Sequence, residues 1–178
     1  AMMFACVRGH SKLVEQLIHS GASVDVVALD RGKTPLIIAL ECNQPSVVRV
    51  LLDHGADVNK LDALGRSPLL YAIIYSGSSI SNNSSDESSS SKTSLLDTIW
   101  FLLHRGADVN CRMPDTNTML NAAVADGHAD MVELMLDYGA DLLAVNDGGE
   151  TALHIACTLG HHDAAVALIQ RGGLDLLD

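Results

Sequence analysis

The sequence predicts an all-α protein with short β-hairpins, built as a solenoid of stacked helix-turn-helix units. Three observations predict it. A glycine followed by a small residue recurs at Gly21, Gly55, Gly106, Gly139 and Gly172. A Thr or Ser opening an apolar segment recurs at Thr34, Ser67, Thr118 and Thr151, in TPLIIA, SPLLYA, TMLNAA and TALHIA. Both series advance by 33 or 34 residues, and both stretch to 51 at the same place, so they mark one repeating unit that carries one insertion.

Each marker has a physical role. The Thr or Ser is placed to start the first helix of a unit. Ala5, Ala39, Ala72, Ala123 and Ala156 fall at one equivalent site, where a small side chain lets neighbouring helices approach closely. Leu17, Leu51, Leu102, Met135 and Leu168 form a matching apolar column on the second helix. The recurrent glycine supplies the left-handed turn that ends that helix. Asp and Asn around Asp57, Asn59, Asp108 and Asn110 suit the turn of a β-hairpin joining units. No unit has enough apolar residues to close a core alone, so stability comes from stacking on neighbours.

A further marker, Gly-His at Gly9, Gly127 and Gly160, stands twelve residues before its own glycine. With it, TALHIACTLGHH at 151–162 and RGADVN at 105–110 carry a clear likeness. The chain resembles the ankyrin repeat family, whose period is about 33 and whose signature is T-P-L-H-x-A. The resemblance implies one ankyrin repeat domain over 1–178, with repeats near 1–29, 30–62, 63–113, 114–146 and 147–178, the first and last incomplete. Ile37 and Leu70 stand where the family has His, so repeats two and three lose a polar tie between helix and hairpin. Thr116 stands where the fourth hairpin would carry Gly. Pro45 falls at a helix start, where its missing N–H does no harm.

The insertion is residues 77–94, GSSISNNSSDESSSSKTS, which has almost nothing to bury and reads as a loop between the two helices of repeat three. Lengthening a short turn to that size costs only roughly 1.7 kcal/mol. Ser94 and Asp97 form a capping pair that restarts the second helix at Leu95. Ser84, with Glu87 three residues downstream, is a candidate for phosphorylation by an acidophilic kinase. Neither Met2, Met3 and Phe4 nor Leu174, Leu176 and Leu177 make the polar face of a capping repeat. The expectation is a segment of a longer protein whose flanking sequence raises the melting temperature.

Composition narrows the function. The formal charge of -11 opposes phosphate backbones and anionic lipid, so nucleic acid is not an expected partner. Apolar runs fall short of the roughly 20 residues that span a bilayer, and no direct membrane insertion is expected. Cys6, Cys42, Cys111 and Cys157 lack the spacing of a zinc site and the density of a disulfide framework, which suits reduced thiols in the cytoplasm or nucleus. Cys6 and Cys157 share one repeat position, as small core residues would. No nucleophile elbow, phosphate-binding glycine loop or zinc-binding helix motif is present, so no enzyme and no cofactor is expected. The densest ligand cluster, His161, His162 and Asp163, is read as structural rather than metal-binding. Trp100 has mostly charged equivalents in the other repeats, which puts it on the outer convex face, packing on the insertion or meeting a second partner.

The resemblance implies a protein-interaction module or scaffold, monomeric as an isolated segment, that binds a protein or peptide on a concave face of hairpin tips and first-helix ends. The alternative is a substrate-recruiting segment of a larger multidomain enzyme or channel. Carried over position by position, the binding residues are Arg8, Arg31, Lys33, Leu64, Arg66, Ile74, Tyr75, Asp115, Asp126, Glu150 and Leu159. Basic groups sit in the first three repeats, acidic ones in the last two, and Leu64, Ile74 and Tyr75 make an apolar centre. Asn59 and Asn110 each follow Asp-Val, with a Leu eight residues upstream, a pattern similar to ankyrin asparagines that are hydroxylated in some organisms; their plain reading is as turn residues.

Overall fold

Apolar residues at helical spacing, started by Thr or Ser and stopped by Gly, fold into pairs of short antiparallel helices. The computed structural model describes residues 1–28, 31–77, 90–113 and 117–172. The helices are α1 (Met2–Val7), α2 (Ser11–His19), α3 (Pro35–Glu41), α4 (Pro45–Asp53), α5 (Pro68–Gly77), α6 (Ser90–His104), α7 (Met119–Ala125), α8 (Ala129–Asp137), α9 (Ala152–Leu159) and α10 (His162–Gly172). They divide between two compact units, residues 1–107 and residues 108–178.

In the first unit α1 packs on α3 and α3 on α5, while α2 packs on α4. In the second, α7 packs on α9 and α8 on α10. Ala5, Ala39 and Ala72 of the first unit and Ala123 and Ala156 of the second are all buried, which is what lets first helices lie side by side. Leu51, Leu102, Met135 and Leu168 are fully buried behind them, and Leu17 is half-buried. Thr34, Thr118 and Thr151 cap their helices through the side-chain oxygen, and the Ser67 hydroxyl accepts from the Leu70 N–H at 3.2 Å. Substituting such a cap costs about 1 kcal/mol. Second helices end on glycines of positive φ, as at Gly55 and Gly139.

The expected β-hairpins are not seen. No strand occurs among the described residues, and the nearest feature is an isolated bridge between Arg112 and Thr118. The connections close instead on two backbone bonds each: Asp62 N–H to Arg66 C=O and Gly65 N–H to Asp62 C=O, both at 3.1 Å, and Asn146 N–H to Glu150 C=O and Gly149 N–H to Asn146 C=O, both at 3.0 Å. The side chains of Asp62 and Asn146 take the remaining turn N–H groups, Leu64 and Arg66 in one case, Gly148 and Glu150 in the other. Side-chain oxygens thus satisfy donors that a strand ladder would have used.

The second helix of repeat three starts at Ser90, not at the expected Leu95. Once Leu95–Leu103 is helical, adding residues at its end gains one backbone bond for each residue fixed, and the Ser, Lys and Thr upstream include no Gly or Pro to stop it. The other end of the insertion, Gly77, belongs to α5. Ser84, the hairpin position Thr116 and Leu174, Leu176 and Leu177 lie outside the described residues.

Candidate protein-interaction face

Within residues 1–107, the turn tip at 62–66 and helix α5 are joined by a chain of polar and ring contacts. Asp62 has a fully buried carboxylate. Its Oδ2 accepts from the Tyr71 hydroxyl and from Arg66 Nε, both at 2.8 Å. Arg66 Nη2 lies 2.7 Å from the same oxygen as an ion pair, but out of line for a second hydrogen bond. The Arg66 guanidinium lies over the Tyr71 ring at 4.9 Å, and Tyr71 stacks on Tyr75 at 5.7 Å with the planes 9° apart. On the other side Lys33 Nζ reaches the Tyr71 ring at 5.3 Å and pairs with Glu41 Oε2 at 2.6 Å. Burial and the bond to Asp62 push the Tyr71 hydroxyl well above its ordinary value, so it stays a donor.

The predicted binding residues therefore separate by environment. Lys33, only 8% exposed, and Arg66 are held inward by carboxylates. Leu64 on the turn tip is 63% exposed and Ile74 on α5 is 44% exposed, with Tyr75 half-buried beside it. Arg8 and Arg31 are exposed in this unit. Trp100 is 46% exposed and stacks on His104 at 4.9 Å.

In residues 108–178 the equivalent face carries Asp126 at the end of α7, Glu150 on the turn before α9, and Leu159 at the end of α9, all exposed. Asp115 lies outside the described residues. The turn between α8 and α9 is fixed by Asn146, whose Nδ2 donates to Glu150 Oε2 at 3.0 Å. A cavity of about 280 Å³ opens here, bordered by Ala122, Ala125, Ile155 and Leu159 and reaching Asn121 and Glu150. Sequence reasoning passed over Asn121, although it stands in the register of Ile37, Leu70 and His154. His154 closes a capping box with Thr151, whereas the Asn121 amide is buried with neither its oxygen nor its nitrogen hydrogen-bonded.

Asn59 and Asn110 each spend their side chains on the following repeat within their own unit. Asn59 Nδ2 donates to the Gly106 carbonyl at 2.9 Å. Asn110 Nδ2 donates to the Gly139 carbonyl at 3.1 Å, and its Oδ1 accepts from Asp141 N–H at 2.8 Å. Cys6 is buried as expected, but Cys157 is exposed. The pairing of their positions fails because α9 has no later first helix packed over it among the described residues. Among the described residues no three His, Cys, Asp or Glu side chains converge as metal ligands, and no helix is long and apolar enough to cross a membrane.

Paired helices of this register and size, joined by Asx-type turns, define a repeat module. The chain belongs to the ankyrin repeat family: the family profile described as ankyrin repeats (3 copies) matches residues 2–82 and 89–177. Ankyrin repeats are protein-interaction modules. The chain is 30% identical over 160 residues to neurogenic locus notch homolog protein 1 of Mus musculus, covering 90% of this chain and 6% of that protein. It is 30% identical over 162 residues to SH3 and multiple ankyrin repeat domains protein 2 of Homo sapiens, covering 91% of this chain and 8% of that protein. Neurogenic locus notch homolog protein 2 of Homo sapiens is 26% identical over 162 residues, with 91% and 6% covered. The chain thus spans less than a tenth of the length of these relatives.

Proposed function

We propose that this chain binds a protein or peptide partner through the face made by its turn tips and first-helix ends, with Leu64, Ile74 and Tyr75 as the anchor. The observation that carries the reading is the Arg66–Tyr71–Tyr75 stack, fastened below by Asp62. A ring already held in place loses little freedom when a partner covers it, and Tyr is favoured among interface residues that carry most of the energy. Single exposed apolar residues need no special role. What favours a site here is that the exposed Leu64 and Ile74 sit on the two elements that this stack holds together.

A photo-cross-linking residue placed at Leu64, and in a second preparation at Trp100, tests the choice of face in a pull-down from native cells. The reading expects discrete adducts from position 64 and few from position 100. Adducts from position 100 with none from position 64 would place the partner on the outer face.

A further inference from the structure

Residues 108–178 carry twelve acidic and two basic side chains, against ten and nine in residues 1–107. Within this acidic unit the α7–α9 cavity has apolar sides in Ala122, Ala125, Ile155 and Leu159, an exposed carboxylate in Glu150, and the buried, unpartnered amide of Asn121. The carboxylate is held in place, because Asn146 donates to Glu150 Oε2 while Asn146 Oδ1 accepts the Glu150 N–H at 2.9 Å. At about 280 Å³ the space lies just under the ~300–1,000 Å³ usual for small-molecule sites. It suits one long side chain.

We infer that this cavity takes an arginine side chain of the partner, its aliphatic stem against the Ala and Leu lining and its guanidinium between Glu150 and Asn121. This rests on the reading that the turn-tip and first-helix face binds protein, and it adds the chemistry recognised there. A guanidinium presents five N–H donors in a planar fork, so it meets a carboxylate and an amide oxygen together, while its stem tolerates apolar walls. Position 121 also shows the expected compromise. Ile37 and Leu70 fill the equivalent place with buried apolar side chains, so an unbonded amide there costs stability that an apolar residue would not. A polar group left unsatisfied until a ligand arrives is a feature of binding sites.

The test uses the whole 178-residue chain and the peptide acetyl-Ala-Ala-Arg-Ala-Ala-amide, followed by NMR. Peptides with citrulline, Lys or Glu in the Arg place serve as comparisons. The expected result is saturable shifts centred on the Asn121 side-chain amide, Ala122 and Ile155, about tenfold weaker for citrulline and absent for Glu. Glu150→Gln lowers the affinity about tenfold. Asn121→Leu abolishes binding while raising the melting temperature by roughly 2–4 °C, which separates lost recognition from lost folding. Equal binding of the Arg and Lys peptides, scattered over the acidic surface and indifferent to both substitutions, overturns the proposal, as does no saturable shift at all. A sedimentation coefficient that rises with concentration and falls back in Glu150→Gln makes a second copy of the chain the occupant, and also overturns it. If the peptide fails while position 64 still cross-links, only this inference falls; if the peptide binds while position 64 labels nothing, the anchor reading falls instead.

Discussion

The Tyr71 hydroxyl donates to Asp62 Oδ2 at 2.8 Å, fastening the middle of α5 to the turn tip that precedes it. Burial of Asp62 opposes its ionisation. The bonds it accepts from the Arg66 N–H and guanidinium, from the Tyr71 hydroxyl and from the Leu64 N–H outweigh that penalty and hold the carboxyl at about 2, below an ordinary 3.8.

A folded-state value below the unfolded one means stability that is fully present above about pH 4 and lost as pH falls towards about 2. The shift corresponds to roughly 2–3 kcal/mol. Asp62→Asn is therefore expected to melt well below the parent chain near neutral pH, with the gap closing between about pH 4 and 2. Thermal melts across that range check it, and a gap independent of pH would rule out an ionised Asp62 as its source.

Burial, with Cys42 nearby as a lesser cause, pushes the Cys6 thiol up to about 11, whereas Cys157 is exposed. Iodoacetamide at mildly alkaline pH is expected to label Cys157 first and to spare Cys6 until the chain unfolds. Peptide mapping by mass spectrometry reads the order. Early labelling of Cys6 in the folded chain would contradict its place in the core.

Asp126 is an exposed carboxylate at the end of α7 in the acidic unit. Asp126→Lys is expected to slow association with the captured partner several-fold at low salt and to leave dissociation nearly unchanged. The difference should fade as salt screens it. Stopped-flow or surface-based kinetics at two ionic strengths measure this, and an effect confined to dissociation would make Asp126 a direct buried contact.

Much of the stack was legible in the sequence because size and capping leave periodic marks. A small residue fits where Ala39 and Ala72 lie buried against neighbouring helices, and a side-chain oxygen caps the helix at Thr34 and Thr151. The connections were less legible. The Asp and Asn residues that mark a hairpin turn also bond its backbone N–H groups themselves, and from sequence alone Asp62 does not reveal that it displaces a strand ladder. The Asp62–Tyr71 bond was hidden because Tyr71 reads as one more apolar residue of α5. Lys33 and Arg66 looked like surface cations until Glu41 and Asp62 were seen to hold them. Asn121 was visible in the His register, but its lack of a partner emerges only when α7 and α9 are packed together.

The affinity of the captured partner for three variants tests the central claim most directly. Tyr75→Ala is expected to weaken binding by about 2 kcal/mol, roughly thirtyfold, with little change in melting temperature. Combined with Ile74→Ala the loss should deepen, while Trp100→Ala should leave affinity within about twofold of the parent. Isothermal titration on all three settles it: a partner that tolerates the Tyr75 and Ile74 double change but is lost with Trp100→Ala binds the outer face, and contradicts the anchor.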